Sequence, residues 1–163
     1  MKKLTQFLLI ALCVLSCEAQ PDPVAFTSEA LNDTLLNLDD ESVSFQSVLE
    51  SHKGKIILVD VWASWCKDCI VSLPDLKAIQ SDYPDVAYVF LSIDRSIKSW
   101  KKGIKKYNIE GEHYFMQDGW DSAFSESIDL DWVPRYMIID TDGSIKVYRA
   151  VKLTDERIRA NLN

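Results

Sequence analysis

Trp65-Cys66-Lys67-Asp68-Cys69 is where residue type and spacing in this 163-residue chain point most directly to chemistry. A buried-strand pattern ends just before it and helical spacing begins at Lys67, so Cys66 opens a helix. There its sulfur meets unpaired backbone N–H groups and the positive end of the helix dipole, and both favour thiolate. An ordinary thiol of pKa ~8.5 is about 3% ionised at pH 7, whereas one lowered to ~7 is about half ionised. Two intervening residues carry the Cys69 sulfur round one helical turn, within reach of the first. A mixed disulfide on Cys66 can then be resolved by Cys69. Cys66 is expected to be the exposed attacker and Cys69 the more buried resolver, with this redox-active pair in place of any separate cofactor.

Other uses of the spacing fit less well. Zinc needs two further ligands, and the chain offers only His52 and His113, far apart in sequence, so no metal is expected. Covalent haem attachment needs a histidine directly after the second cysteine, where Ile70 stands. A purely structural disulfide across so short a loop would restrict the unfolded chain little.

The two remaining cysteines, Cys13 and Cys17, belong to a different segment. Met-Lys-Lys, the apolar run Phe7–Leu15 and Ser16-Cys17 have the order of a secretory signal, and the run is too short to span a bilayer. Val14-Leu15-Ser16-Cys17 resembles the bacterial lipobox, in which cleavage precedes a cysteine that then carries lipid. The expected organisation is a signal at 1–16, lipidation at Cys17 with attachment to the membrane, a Pro-containing tether at 17–32 and a folded domain at 33–163. Composition agrees with one such domain: 47% of residues are apolar and 26% charged. The formal charge of −7 disfavours nucleic acid as a partner, since that affinity comes from neutralising phosphates. An exported chain whose only cysteines outside the signal and the lipid site are Cys66 and Cys69 has no structural disulfide framework.

The elements that must hold the dithiol can be traced in the pattern. Lys55–Trp62 and Val86–Ile93 are continuous apolar runs rich in β-branched residues, the mark of strands buried on both faces. Helical spacing covers 67–81 and 97–107; the lysines on one side of the second helix read as a solvated face. Tyr136–Asp140 and Ile145–Tyr148 flank Thr141-Asp142-Gly143-Ser144, a hairpin signal, and Leu153–Leu162 suits a closing helix. The sum is βαβ followed by ββα: an α/β fold with a mixed central sheet flanked by helices.

Val59-Asp-Val-Trp-Ala-Ser-Trp-Cys-Lys-Asp-Cys69 resembles the active-site motif of the thioredoxin superfamily. Gly54-Lys55, the lipobox and Val133-Pro134-Arg135-Tyr136 are similar to its membrane-tethered TlpA/ResA-like branch. The resemblance implies a thioredoxin-like fold and thiol–disulfide oxidoreductase activity in the cell envelope. It assigns Asp60, which interrupts an apolar strand, as a buried acid that handles the proton of Cys69. It makes Pro74 the kinking proline of the active-site helix and Val133-Pro134 a cis-proline loop facing the dithiol. Trp65, Lys67, Asp68, Val133 and Pro134 are then the residues expected to meet substrate, Trp65 shielding the sulfur and Val133 pairing with an extended chain. Trp62 reads as core packing. Implied partners are disulfide-containing envelope proteins, with a membrane thiol carrier as electron donor. Two departures stand out: Lys67-Asp68 replaces the usual Gly-Pro, and Phe90 stands where thioredoxins often carry a lysine. The sequence also leaves room for a dithiol oxidase or isomerase, and for a non-catalytic surface lipoprotein that only binds a partner.

Overall fold

The computed structural model describes residues 21–163, and its packed unit begins earlier than the proline-containing tether pattern suggests. Cys13, Cys17 and the signal at 1–16 lie outside the described residues. Helix α1 (Ser28–Leu31) is capped by the Thr27 hydroxyl and buries Ala30. Ahead of it, the Phe26 ring packs against Phe45 and Phe124 at centroid distances of 4.9 and 5.8 Å. The Val24 carbonyl accepts from the Ile145 N–H at 2.8 Å. The expected tether is therefore corrected at its C-terminal end: a phenylalanine with an aromatic pocket to fill is drawn into the core.

Strands β1 (Thr34–Leu36) and β2 (Ser42–Ser44) pair with each other and lead into α2 (Phe45–Ser51), capped by Ser44. Then comes β3 (Ile57–Trp62), buried along its whole length, as its unbroken apolar run requires. The expected single helix at 67–81 is two helices, α3 (Lys67–Val71) and α4 (Leu73–Asp82), meeting at Ser72. Pro74 lies in the first turn of α4; its missing N–H cannot continue the α3 hydrogen-bond ladder, but it is harmless at a helix start. Strand β4 (Ala87–Ser92) follows, and α5 (Ile97–Tyr107) has the bounds its spacing predicts.

The segment after α5 holds elements that periodicity does not reveal: β5 (Glu112–Met116), a 3₁₀ turn at Gly119–Asp121 and α6 (Ala123–Ser127). Strands β6 (Arg135–Ile139) and β7 (Ile145–Ala150) form the expected hairpin, with Gly143 at φ 88°, and α7 (Glu156–Ala160) closes the chain. The strand order is β2-β1-β5-β4-β3-β6-β7. β3 pairs in parallel with β4 and antiparallel with β6, which makes the sheet mixed.

The register lines up one transverse row. Tyr136, Asp60, Phe90 and His113 are successive partners across β6, β3, β4 and β5. Partnered residues of adjacent strands point to the same face, so these four side chains share it. The Phe90 and His113 rings stack at 4.8 Å. His113 is buried, its Nε2 lies 3.0 Å from the Ile109 carbonyl, and desolvation lowers its pKa, so it stays neutral.

Candidate active site

The dithiol sits where β3 ends. The Cys66 N–H bonds back to the Ala63 carbonyl, turning the chain into α3, and Cys66 is the N-cap of that helix. Its Sγ accepts the Cys69 N–H at 3.1 Å, so an otherwise orphaned helix-start donor points at sulfur. The two sulfurs are bonded in a disulfide, with Cα atoms 5.3 Å apart. The Cys66 Sγ also lies 3.5 Å from the Val133 carbonyl oxygen.

Cys66 and Cys69 are exposed to 5% and 4%. The expected contrast between an exposed and a buried cysteine is thus corrected for the disulfide form, in which Val133 covers the leading sulfur. What separates the two is direction. Cys66 lines a pocket of about 400 Å³ that opens to solvent, and Cys69 does not.

The approach to Cys66 is held from behind. The buried Asp94 carboxylate accepts from the Ser64 N–H at 3.0 Å and from the Ser64 hydroxyl at 2.6 Å, and a third bond ties it to Ser92. α5 presses on the same point: a Cβ added at Gly103 would come within 2.5 Å of Ser64 Cβ. Replacing Gly103 with Ala is expected to push back the segment carrying Trp65 and Cys66. Overpacking of this kind costs about 1–3 kcal/mol, which urea denaturation of the oxidised protein will read.

Asp60 is buried and lies six residues upstream on β3; its Oδ1 has no hydrogen-bond partner. Desolvation raises its pKa to about 8, into the range of a general base at neutral pH. Beside it in the row, the Tyr136 hydroxyl meets the Ser72 hydroxyl at 2.7 Å, and Ser72 donates to the Cys69 carbonyl at 2.8 Å. Burial, with the nearby Asp60 carboxyl, raises the Tyr136 pKa well above its ordinary value. Ser72 and Tyr136 thereby pin the break between α3 and α4 to β6. The sequence marked the break by Pro74 but gave no sign of this clasp.

The facing loop is built on Arg135. Its guanidinium is fully buried and donates to the Ile128 and Asp129 carbonyls at 2.8 and 3.1 Å and to Asp131 at 2.9 Å. Asp131 also pairs with Arg149 at 2.6 Å. These bonds shape residues 128–134, and the Val133–Pro134 peptide is cis. Trp65, Lys67, Asp68 and Val133 all line the pocket over Cys66, whereas Pro134 lines a neighbouring hollow with Ser72 and Asp75. Trp62 is core, exposed to 2%. Two pocket residues escaped the sequence reading. Trp132, directly before Val133, could have been noticed by position; Trp120 lies in the 3₁₀ turn, where no pattern flags it. Among the described residues no group of histidines, cysteines or acids has the arrangement of a metal site.

A pair of sulfurs at a helix start, opposed by a cis-proline loop on a mixed sheet, is the architecture of a thioredoxin-fold thiol–disulfide oxidoreductase. The comparisons agree: the Thioredoxin-like family model matches residues 54–145, and the chain belongs to that family. It is 34% identical over 122 residues to the thioredoxin-like protein YneN of Bacillus subtilis, covering 72% of this chain and 69% of that one. It is 23% identical over 119 residues to the thiol-disulfide oxidoreductase ResA of Bacillus cereus, covering 72% and 65%. The thioredoxin domain of a Bacteroides vulgatus thiol-disulfide oxidoreductase superposes with a TM-score of 0.67 at 26% identity, covering 84% of this chain and 95% of that one.

Proposed function

We propose that this oxidoreductase works as a reductase of disulfides in exported proteins, held at the bacterial envelope by lipid on Cys17. The Cys66 thiolate attacks one sulfur of a target disulfide; a Cys66–target disulfide forms and the target's other sulfur leaves as thiolate. Cys69 gives its proton to the ionised form of Asp60, which a pKa of about 8 keeps accessible near neutral pH, and attacks the Cys66 sulfur, so that the Cys66–Cys69 disulfide forms and the second target thiolate departs. The target gains two electrons and the dithiol loses them. The proton that left Cys66 on ionisation and the one held by Asp60 balance the two released thiolates. A thiol donor, which we take to be a membrane carrier, returns two electrons and two protons to the pair.

The observation that carries this reading is the position of the Cys66 sulfur: on the Cys69 N–H, against the Val133 backbone and at the floor of a solvent-facing pocket. The lipid anchor rests on the Val14-Leu15-Ser16-Cys17 motif, and the location outside the cytoplasm on that motif and the preceding apolar run. The test is reduction of insulin by the full chain carrying Cys13→Ser and Cys17→Ser, so that Cys66 and Cys69 are its only thiols. Turnover with dithiothreitol is expected, and its absence refutes the proposal. The potential fixes the direction: a value near about −270 mV agrees with a reductase, and one near about −120 mV replaces it with an oxidase.

A further inference from the structure

Trp65, Trp120 and Trp132 stand around the pocket over Cys66. They come from three separate places: the turn before α3, the 3₁₀ turn and the loop before Pro134. Each indole is roughly half exposed. Among the described residues, the aromatic pairs and the cation–ring contacts all involve other side chains, so no aromatic ring or cation of the fold stacks on these three indoles. Three exposed tryptophans converging on one sulfur are an unusual use of apolar surface, and they mark a recognition site.

Such a pocket can take an apolar side chain by burial or a cation over the ring faces. The surrounding charge favours the cation. Lys67 is the one base lining the pocket, against Asp68 and Asp131. Beyond Trp120 the surface continues into a second hollow with Asp121, Glu126 and Asp129 and no base. Asp131 is paired with Arg135 and Arg149, but Asp68, Asp121 and Glu126 take part in no ion pair among the described residues. A lysine or arginine side chain entering between the indoles meets the ring quadrupoles and the unpaired Asp68 carboxylate, with Asp121 and Glu126 in the adjoining hollow. A leucine meets only the rings, and a glutamate is repelled.

Resting on the reductase reading above, we propose that Trp65, Trp120 and Trp132 form a cage for a basic side chain of the substrate, which is a polypeptide whose target cysteine is flanked by lysine or arginine. The geometry places that residue. An extended substrate pairing with the Val133 backbone turns alternate side chains to the same face, so residues two positions from the cysteine point where the cysteine points. They lie roughly 7 Å from it along the strand.

The test uses the same full chain with Cys66 and Cys69 as its only thiols, and a series of disulfide-linked peptides with Arg, Leu, Gln or Glu two residues from the cysteine. The readout is the ratio of kcat/KM values within one variant. Arg is expected to exceed Leu by about tenfold and Glu to rank last. In Trp120→Leu and Trp132→Leu the Arg-to-Leu ratio is expected to fall to within about twofold. Leu equal to or better than Arg overturns the cage in favour of an apolar pocket. An Arg preference that survives both tryptophan changes overturns it in favour of charge steering alone. Equal turnover of all four peptides refutes the cage and leaves the reductase reading intact, whereas no turnover of any peptide refutes that reading as well.

Discussion

Cys66→Ser will abolish disulfide reduction, while Cys69→Ser will leave the protein covalently joined to its target. The two cysteines are equally buried, so exposure does not separate them; the backbone around each does. Cys66 caps the helix and accepts the Cys69 N–H, an interaction that strengthens as its sulfur gains charge. It is also the sulfur at the pocket floor. A serine there still caps the helix, so the fold survives, but no sulfur is left for a target to meet. With Cys69→Ser the first exchange proceeds and the second has no nucleophile. Non-reducing electrophoresis after mixing with an oxidised protein will show a stable adduct for Cys69→Ser and none for Cys66→Ser. Adducts of equal yield from both variants would remove the distinction between attacker and resolver.

Asp60→Asn will make the protein more stable and a slower catalyst. The carboxyl is buried with no hydrogen bond to Oδ1 and a pKa of about 8, against about 3.9 when unfolded. Because its pKa is raised by folding, the native state holds a proton that the unfolded chain has lost. The carboxyl is neutral in both states below about pH 4, and stability then falls as pH rises to about 8, where the native carboxyl ionises too. An asparagine has no such penalty. Its advantage will be small at pH 4, grow through neutrality and level off above pH 8 at several kcal/mol in order of magnitude. Denaturant midpoints measured from pH 4 to 9 will show this widening gap. Resolution of the mixed disulfide will slow about 10²-fold or more, the usual worth of a positioned proton acceptor. A stability gap that does not vary with pH would mean that Asp60 is ionised in the native state.

The sheet centre was legible in the sequence because its strands are buried on both faces: Ile57–Trp62 and Ala87–Ser92 contain almost nothing but apolar residues. Helix α5 and the Asp142-Gly143 hairpin were legible for equally local reasons, an apolar stripe and a residue suited to positive φ. The strands beyond β4, namely β5, β1 and β2, were not. β1 and β2 have three residues each, too few to establish a period, and β5 mixes Glu112 and His113 with aromatics. What makes β5 a strand is its place beside β4, which is tertiary information. The site divides in the same way. Cys66, Cys69 and Asp60 sit in one contiguous motif that could be read directly. Ser72, Tyr136 and Arg135 act through contacts across the sheet and the facing loop, and Trp120 reaches the pocket only because the chain folds back to bring it there. The near-equal burial of the two sulfurs was invisible for that reason too, since the cover comes from Val133.

In the row Tyr136, Asp60, Phe90 and His113, a benzene ring stands between a carboxyl and an imidazole. Without it the acid and the base could form an internal ion pair, and the carboxyl would lose its hold on a proton at neutral pH. Phe90 therefore acts as an insulator. The proton affinity of the Asp60 carboxyl is then set by its desolvation alone, with no contribution from the imidazole two strands away.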